Sequence, residues 1–184
     1  TSPVPVVITI SGSNTNTITS NVHVLTYGSV YQGGYVFGIN DTLPNTLSTE
    51  GYVASLTDQS ASIAWDPGCP GACISPISAN DDFDGAANSI AAINAMSSTL
   101  AANAYAAGLC SATINAFSDW YLPAICELSY GDNGASPCGQ VGNPALQNIQ
   151  SNLVDNNILT LVNFYWSSTQ LSASPTSVAI YNLF

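Results

Sequence analysis

Asp119-Trp-Tyr-Leu-Pro-Ala-Ile-Cys-Glu-Leu128 is the stretch whose reading decides how this chain folds. Two aromatics run into a proline, and apolar residues then recur at Ile125 and Leu128 with helical spacing. Pro123 opens a short helix, because its fixed φ suits a first turn and its missing N–H is not needed there. Glu127 stands near that start, where a carboxylate caps the backbone or meets the helix dipole. An aromatic between turn and helix-start signals packs inward, so Trp120 belongs in the core and Asp119 bonds to nearby backbone N–H groups. A second reading makes Trp120 and Tyr121, with Trp166 further on, the lip of a binding site, since such faces stack on sugars.

Working outward, Ile90, Ile93, Met96 and Leu100 share one face of a preceding helix. Downstream, Asn143-Pro144 reads as an N-cap followed by proline at the first helical position, with Leu146, Ile149 and Leu153 on one face. Leu159 to Trp166 returns to strand chemistry. Toward the N-terminus, Tyr27-Gly-Ser-Val-Tyr-Gln-Gly-Gly-Tyr-Val-Phe-Gly-Ile39 suggests two strands with a tight turn or bulge at Gly33 and Gly34. Gly51 to Leu56 is a further strand, and a loop rich in Pro, Gly, Cys and Asp runs from Asp66 to Phe83. The order of strands, helices and strand is that of an α+β domain over residues 27–184. Residues 1–26 stand apart as an extended β arm. Val4 to Ile10 is strand-like, and Thr15 to Thr19 and Val22 to Val24 continue it after a turn at Gly12-Ser-Asn14. Pro3 and Pro5 confine that first strand to an edge or a linker.

Composition narrows the function. The 184 residues contain no Lys or Arg against 11 Asp and Glu, a net charge of −11. Such a chain cannot clamp phosphate, nucleic acid or a sulfated polyanion, and it has no amine for a Schiff base. It offers trypsin no cleavage site and anionic lipid no attraction. Apolar residues make up 46%, enough for a core, while 6% are charged. Ser, Thr, Asn and Gly therefore hydrate the surface, a texture typical of secreted bacterial surface proteins. No apolar run approaches the ~20 residues needed to span a bilayer. Val4 to Ile10 lacks the basic flank of a signal peptide, so any export signal is expected upstream of Thr1.

Cys69, Cys73, Cys110, Cys126 and Cys138 allow up to two disulfides with one thiol left over, in an arrangement the sequence leaves open. Cys69 and Cys73 could close a small loop or form half a metal site. Asp81, Asp82 and Asp84 with Asn88 offer hard oxygen ligands in a Gly-containing loop, which suits calcium. The competing reading is a solvated loop leading into a helix N-terminus, where carboxylates are favourable without a metal. His23 has no acid or nucleophile beside it in sequence. Walker and dinucleotide loops are absent, and no carboxylate pair is singled out, so the chain reads as non-enzymatic.

Four phrases carry a family resemblance: Gln32-Gly-Gly-Tyr-Val-Phe37, Asp84-Gly-Ala-Ala-Asn88, Asp119-Trp-Tyr-Leu-Pro123 with Glu127-Leu128, and Tyr165-Trp-Ser-Ser-Thr169. In this order they resemble the domain family named after the C-terminal domain of the Legionella collagen-like protein, over residues 27–184. Tyr105 to Cys110 and Leu122 to Cys126 look like the versions on that genus's surface proteins. The resemblance implies a C-type-lectin-like fold, a secreted or surface location and a link to adhesion, with no catalytic residue to carry over. A member of that family binds sulfated glycosaminoglycans through basic residues; this chain has none, so that activity is not expected of it. Family members continue past Tyr181-Asn-Leu-Phe184 into a further strand, so a vacant sheet position and a sixth cysteine elsewhere are expected.

Three functions follow. The first is a secreted adhesion or structural module working by protein–protein contact, with itself as a fibre subunit or with a host or bacterial surface protein. The second is a lectin for neutral glycans, assisted by calcium. The third is an enzyme of unrecognised reaction. On the first, residues 4–24 complete a sheet in their own subunit or in a neighbour.

Overall fold

The computed structural model describes residues 25–39, 51–68, 77–130, 137–162 and 164–170, together with the backbone of 178–182. Residues 1–24 of the expected arm, His23 among them, and Cys69 and Cys73 lie outside these residues.

Strand β1 (Val30–Tyr31) turns into β2 (Gly34–Ile39) through Gln32 and Gly33, at φ 47 and 84. Two successive positive φ values match the right-handed twist of the flanking strands, and only a residue such as Gly33 takes the second without strain. The turn anticipated at Gly33 is therefore present. Strand β3 (Gly51–Ser55) pairs antiparallel with β2, giving a sheet of order β1-β2-β3 with an irregularity between Val36 and Gly38.

Helix α1 (Gly85–Met96) starts where the Asp84 carboxylate accepts from Ala87 N at 2.8 Å. Its buried face is Asn88, Ser89, Ala92 and Met96. The expected stripe is only partly used: Met96 is buried, Ile93 and Leu100 are half-buried, and Ile90 is 61% exposed. Ile90 lies about 200° around the helix from Asn88, and the side chosen inward carries small and polar residues. The reason is close approach. Residues 122–124 and 168 run against this face, leaving no room for an isoleucine.

A 3₁₀ turn (Ala102–Ala104) and helix α2 (Ala106–Cys110) lead toward α3 (Ile125–Leu128). The short helix is present, but Pro123 stands one residue before its N-cap, Ala124, rather than in its first turn. Asn143-Pro144 does not cap a helix. It forms strand β5, paired with β4 (Gly139–Gln140) through a turn at Val141 and Gly142. A two-stranded ribbon accommodates the proline, which has no N–H to offer a ladder. The actual cap is Asn148, whose side chain accepts from Ser151 N at 2.7 Å, and a π-helical turn (Gln150–Val154) follows. Ile149 and Leu153 are buried there as expected. The late strand is also shifted: β6 spans Phe164–Gln170 and pairs antiparallel with β7 (Val178–Asn182).

The result is α+β with small antiparallel sheets. One core cluster gathers Trp65, Met96, Tyr105 and Leu122 around α1 and α2. A second places Phe37 and Ala54 of the sheet on Leu128, Ile149 and Leu153. Cys126 and Cys138 form a disulfide beside Ile125, tying α3 to the β4–β5 ribbon. Disulfides persist in oxidising compartments, with which an extracellular location is compatible. No helix among the described residues is long and apolar enough to cross a membrane.

Candidate functional site: an aromatic cleft

The phrases that look like a site in sequence lock together as a buried polar junction. Asn88 Nδ2 donates to Asp81 O at 2.6 Å and Ser168 Oγ at 3.3 Å, while its Oδ1 accepts from Asp81 N at 3.1 Å. Thr169 Oγ1 donates to Asp81 O at 3.1 Å and accepts from Ile125 N at 3.0 Å. Ser168 N reaches Pro123 O at 2.8 Å, and Ser89 Oγ exchanges hydrogen bonds with the Leu122 backbone at 3.0 and 3.1 Å. Every partner is neutral. Hydroxyls and carboxamides here do the joining that ion pairs do in charged proteins.

Glu127 is the one carboxylate inside the junction, 5% exposed. Its Oε2 accepts from Ala124 N at 2.8 Å and Gly85 N at 3.2 Å, and its Oε1 accepts from Tyr121 OH at 2.9 Å. The capping role read from sequence is therefore present, and it extends to the start of α1. Burial holds the carboxyl above its usual range, although these three hydrogen bonds pull the other way. Burial, followed by the Glu127 charge, pushes the Tyr121 phenol far up. Gly85 is required: a Cβ there would run into Glu127 Oε2 and stand 2.5 Å from Ala124 N.

The acidic loop is used locally. Asp81 Oδ1 accepts from Phe83 N at 2.8 Å and Asp84 N at 3.1 Å, and Asp84 caps α1. Burial and the neighbouring Asp81 raise the Asp82 carboxyl. Among the described residues, no three His, Cys, Asp or Glu side chains gather as metal ligands. None of Asp81, Asp82, Asp84 and Asn88 lines the cleft described next.

That cleft, about 980 Å³, opens between the β1-β2-β3 sheet, the 57–63 loop, the 109–123 connection and the 159–166 segment. It brings together Trp120, Tyr121 and Trp166, the three aromatics singled out as ligand-binding candidates. All are half-buried with their polar tips engaged. Trp120 Nε1 donates to Ile114 O at 3.2 Å, Trp166 Nε1 to Ile63 O at 2.8 Å, and Tyr121 to Glu127. Their rings are thus fixed walls. Sequence reasoning missed Tyr52, Val162 and Phe164, which line the same cleft at 48%, 56% and 68% exposure. The signal available was apolar excess in strand-like stretches, which does not distinguish a core from a cleft.

The cleft is acidic, with two carboxylates and no Lys or Arg. Its carboxylates are Asp58, which accepts from Tyr165 OH at 3.1 Å, and Asp119. Cys110 also lines it, but burial pushes the thiol up to about 11, leaving little thiolate at neutral pH. Gly51 to Ser55 line it consecutively. So do Val36 to Ile39 of the central strand β2. Among the described residues β3 has no neighbour on its side away from β2.

No family model, curated protein or solved structure matches this chain.

Proposed function

We propose that this chain is a secreted, non-enzymatic protein of a bacterial surface, an adhesion or structural module that acts by protein–protein contact and assembles into an extracellular fibre. The observation that carries the reading is the cleft. Large apolar side chains, Tyr52, Val162 and Phe164, stand exposed in one cleft beside a strand that has no partner on one side among the described residues. Contiguous exposed apolar surface of this kind marks contact sites. A C-type-lectin-like fold belongs to the same proposal. It is supported by the small antiparallel sheets and by the interlocking of the Asp84, Asp119 and Tyr165 phrases. The disulfide supports the extracellular setting. Against catalysis stands a cleft whose thiol is pushed up to about 11.

A second reading, a lectin for neutral glycans, draws on the meeting of Trp120, Tyr121 and Trp166 in one cleft. The chain's own resistance to trypsin separates the two. Labelled protein is applied to bacterial or host cell surfaces treated beforehand with trypsin or with glycosidases, and to its own immobilised copies. The proposal expects binding that trypsin treatment of the cells removes and binding to its own copies that trypsin spares. Binding that survives trypsin, disappears with glycosidase and is absent toward its own copies would replace it with the lectin.

A further inference from the structure

We infer that the occupant of the cleft is the amino-terminal segment Val4–Ile10 of a second copy, added as a strand along the edge of β3 that has no partner among the described residues. The inference deepens the protein-contact reading and rests on it.

Charge is the first argument. Residues 1–24 contain no Asp or Glu, so all 11 acidic residues lie after them. Two copies at −11 each repel, and the cleft itself carries Asp58 and Asp119 with no cation to offset them. The stretch before Leu25 can enter such a cleft without bringing another carboxylate.

Patterning is the second. On a strand, alternate residues direct their backbone groups to the same side and their side chains to the same face. Val4, Val6, Ile8 and Ile10 form one such set, wholly apolar and β-branched. Pro5, Val7 and Thr9 form the other. Turned with the first set toward β3, the segment offers an N–H at every pairing position, and Pro5, which has none, faces away from the ladder. The apolar face then meets Tyr52, Val162 and Phe164, which now stand in solvent.

Reach is the third. Leu25, the residue that follows the uncharged stretch, itself lines the cleft. Ser11 to Val24 are 14 residues, which extended at ~3.3 Å each span about 46 Å. A domain of roughly 160 residues is about 40 Å across. The tether is therefore long enough to carry Val4–Ile10 past its own domain to a neighbour's cleft. Because the donor segment and the acceptor edge are different surfaces, the contact is heterologous and propagates into a filament where the rotation between copies does not close a ring.

The test uses two full-length variants and no truncation. Ile8→Asp removes the donor and keeps the cleft. Phe164→Asp spoils the cleft at a side chain exposed enough to tolerate the change, and keeps the donor. Near-ultraviolet circular dichroism of the tryptophans establishes that both are folded. Light scattering and electron microscopy then read assembly. The wild type is expected to polymerise, and each variant alone to stay monomeric. Their equimolar mixture should give a one-to-one dimer that grows no further, since one partner lacks a donor and the other an acceptor. Polymerisation of either folded variant like the wild type, or a mixture that stays monomeric, overturns the inference. A monomeric wild type also overturns it. If that monomer binds trypsin-sensitive surfaces through the cleft, losing them in Phe164→Asp, the protein-contact reading survives. If it instead takes a neutral oligosaccharide into the cleft, both fall.

Discussion

Replacing Glu127 with alanine should destabilise the fold severely, and replacing it with glutamine should not. In the alanine variant the buried N–H groups of Gly85 and Ala124 lose their acceptor, as does the Tyr121 hydroxyl. A buried donor left unsatisfied costs about 1–3 kcal/mol, and two backbone donors are involved. Relief of the desolvated carboxylate offsets part of this, because burial already disfavours its charged form. The net loss is expected at about 2–4 kcal/mol, or about 4–16 °C in Tm for a domain of this size. Glutamine keeps the shape. Its carbonyl oxygen can accept from Gly85 and Ala124 while its amide donates to the Tyr121 oxygen, so the change should stay within about 1 kcal/mol. Denaturant titration followed by tryptophan fluorescence reads both variants. An alanine variant as stable as the wild type would refute the capping account. A glutamine variant as weak as alanine would mean that the negative charge itself is needed, as it would be for a bound cation.

Reducing the Cys126–Cys138 disulfide, whose partners are 12 residues apart, should cost about 3 kcal/mol by the loop-entropy relation and lower Tm by about 6–12 °C. An unchanged melt in reductant would contradict this. Stability should hold or rise between pH 7 and pH 4. The carboxyls of Glu127 and Asp82 are raised in the folded state, so their contribution is fully present below the unfolded pKa and is lost as pH rises through the folded one. A steep fall in Tm toward pH 4 would count against it. The Tyr121 and Tyr165 phenols are also raised, so the same sign places alkaline loss above about pH 10, the unfolded tyrosine value; melts at pH 9 and pH 11 should show it. The wild type should pass through a heparin column unretained at physiological salt, and salt-sensitive retention would be inconsistent with a chain lacking Lys and Arg.

Local chemistry made part of the fold legible. The Gln32-Gly33 turn, the short helix after Pro123 and the cap by Glu127 each depend on a few adjacent residues, and each is present. Reading Asn143-Pro144 as a helix start was wrong, because pairing with β4 takes these residues into a strand and the cap falls at Asn148. Apolar spacing misassigned Ile90 because the inner face of α1 is set by backbone closeness to 122–124, where small residues are needed. The cleft lies further still from local signals. Its walls come from four separate stretches of chain, so Trp120, Tyr121 and Trp166 could be nominated singly, but their meeting with Tyr52 and Phe164 depends on packing.

Hydrogen–deuterium exchange of the full-length wild type across a concentration series tests most directly whether the cleft is the contact surface. The account predicts that amides of Gly51–Ser55, in strand β3, gain protection as concentration rises. Phe164→Asp should abolish that gain while leaving the slow exchange of α1 untouched. Protection of this strand that is independent of concentration, and equal in the variant, would contradict it.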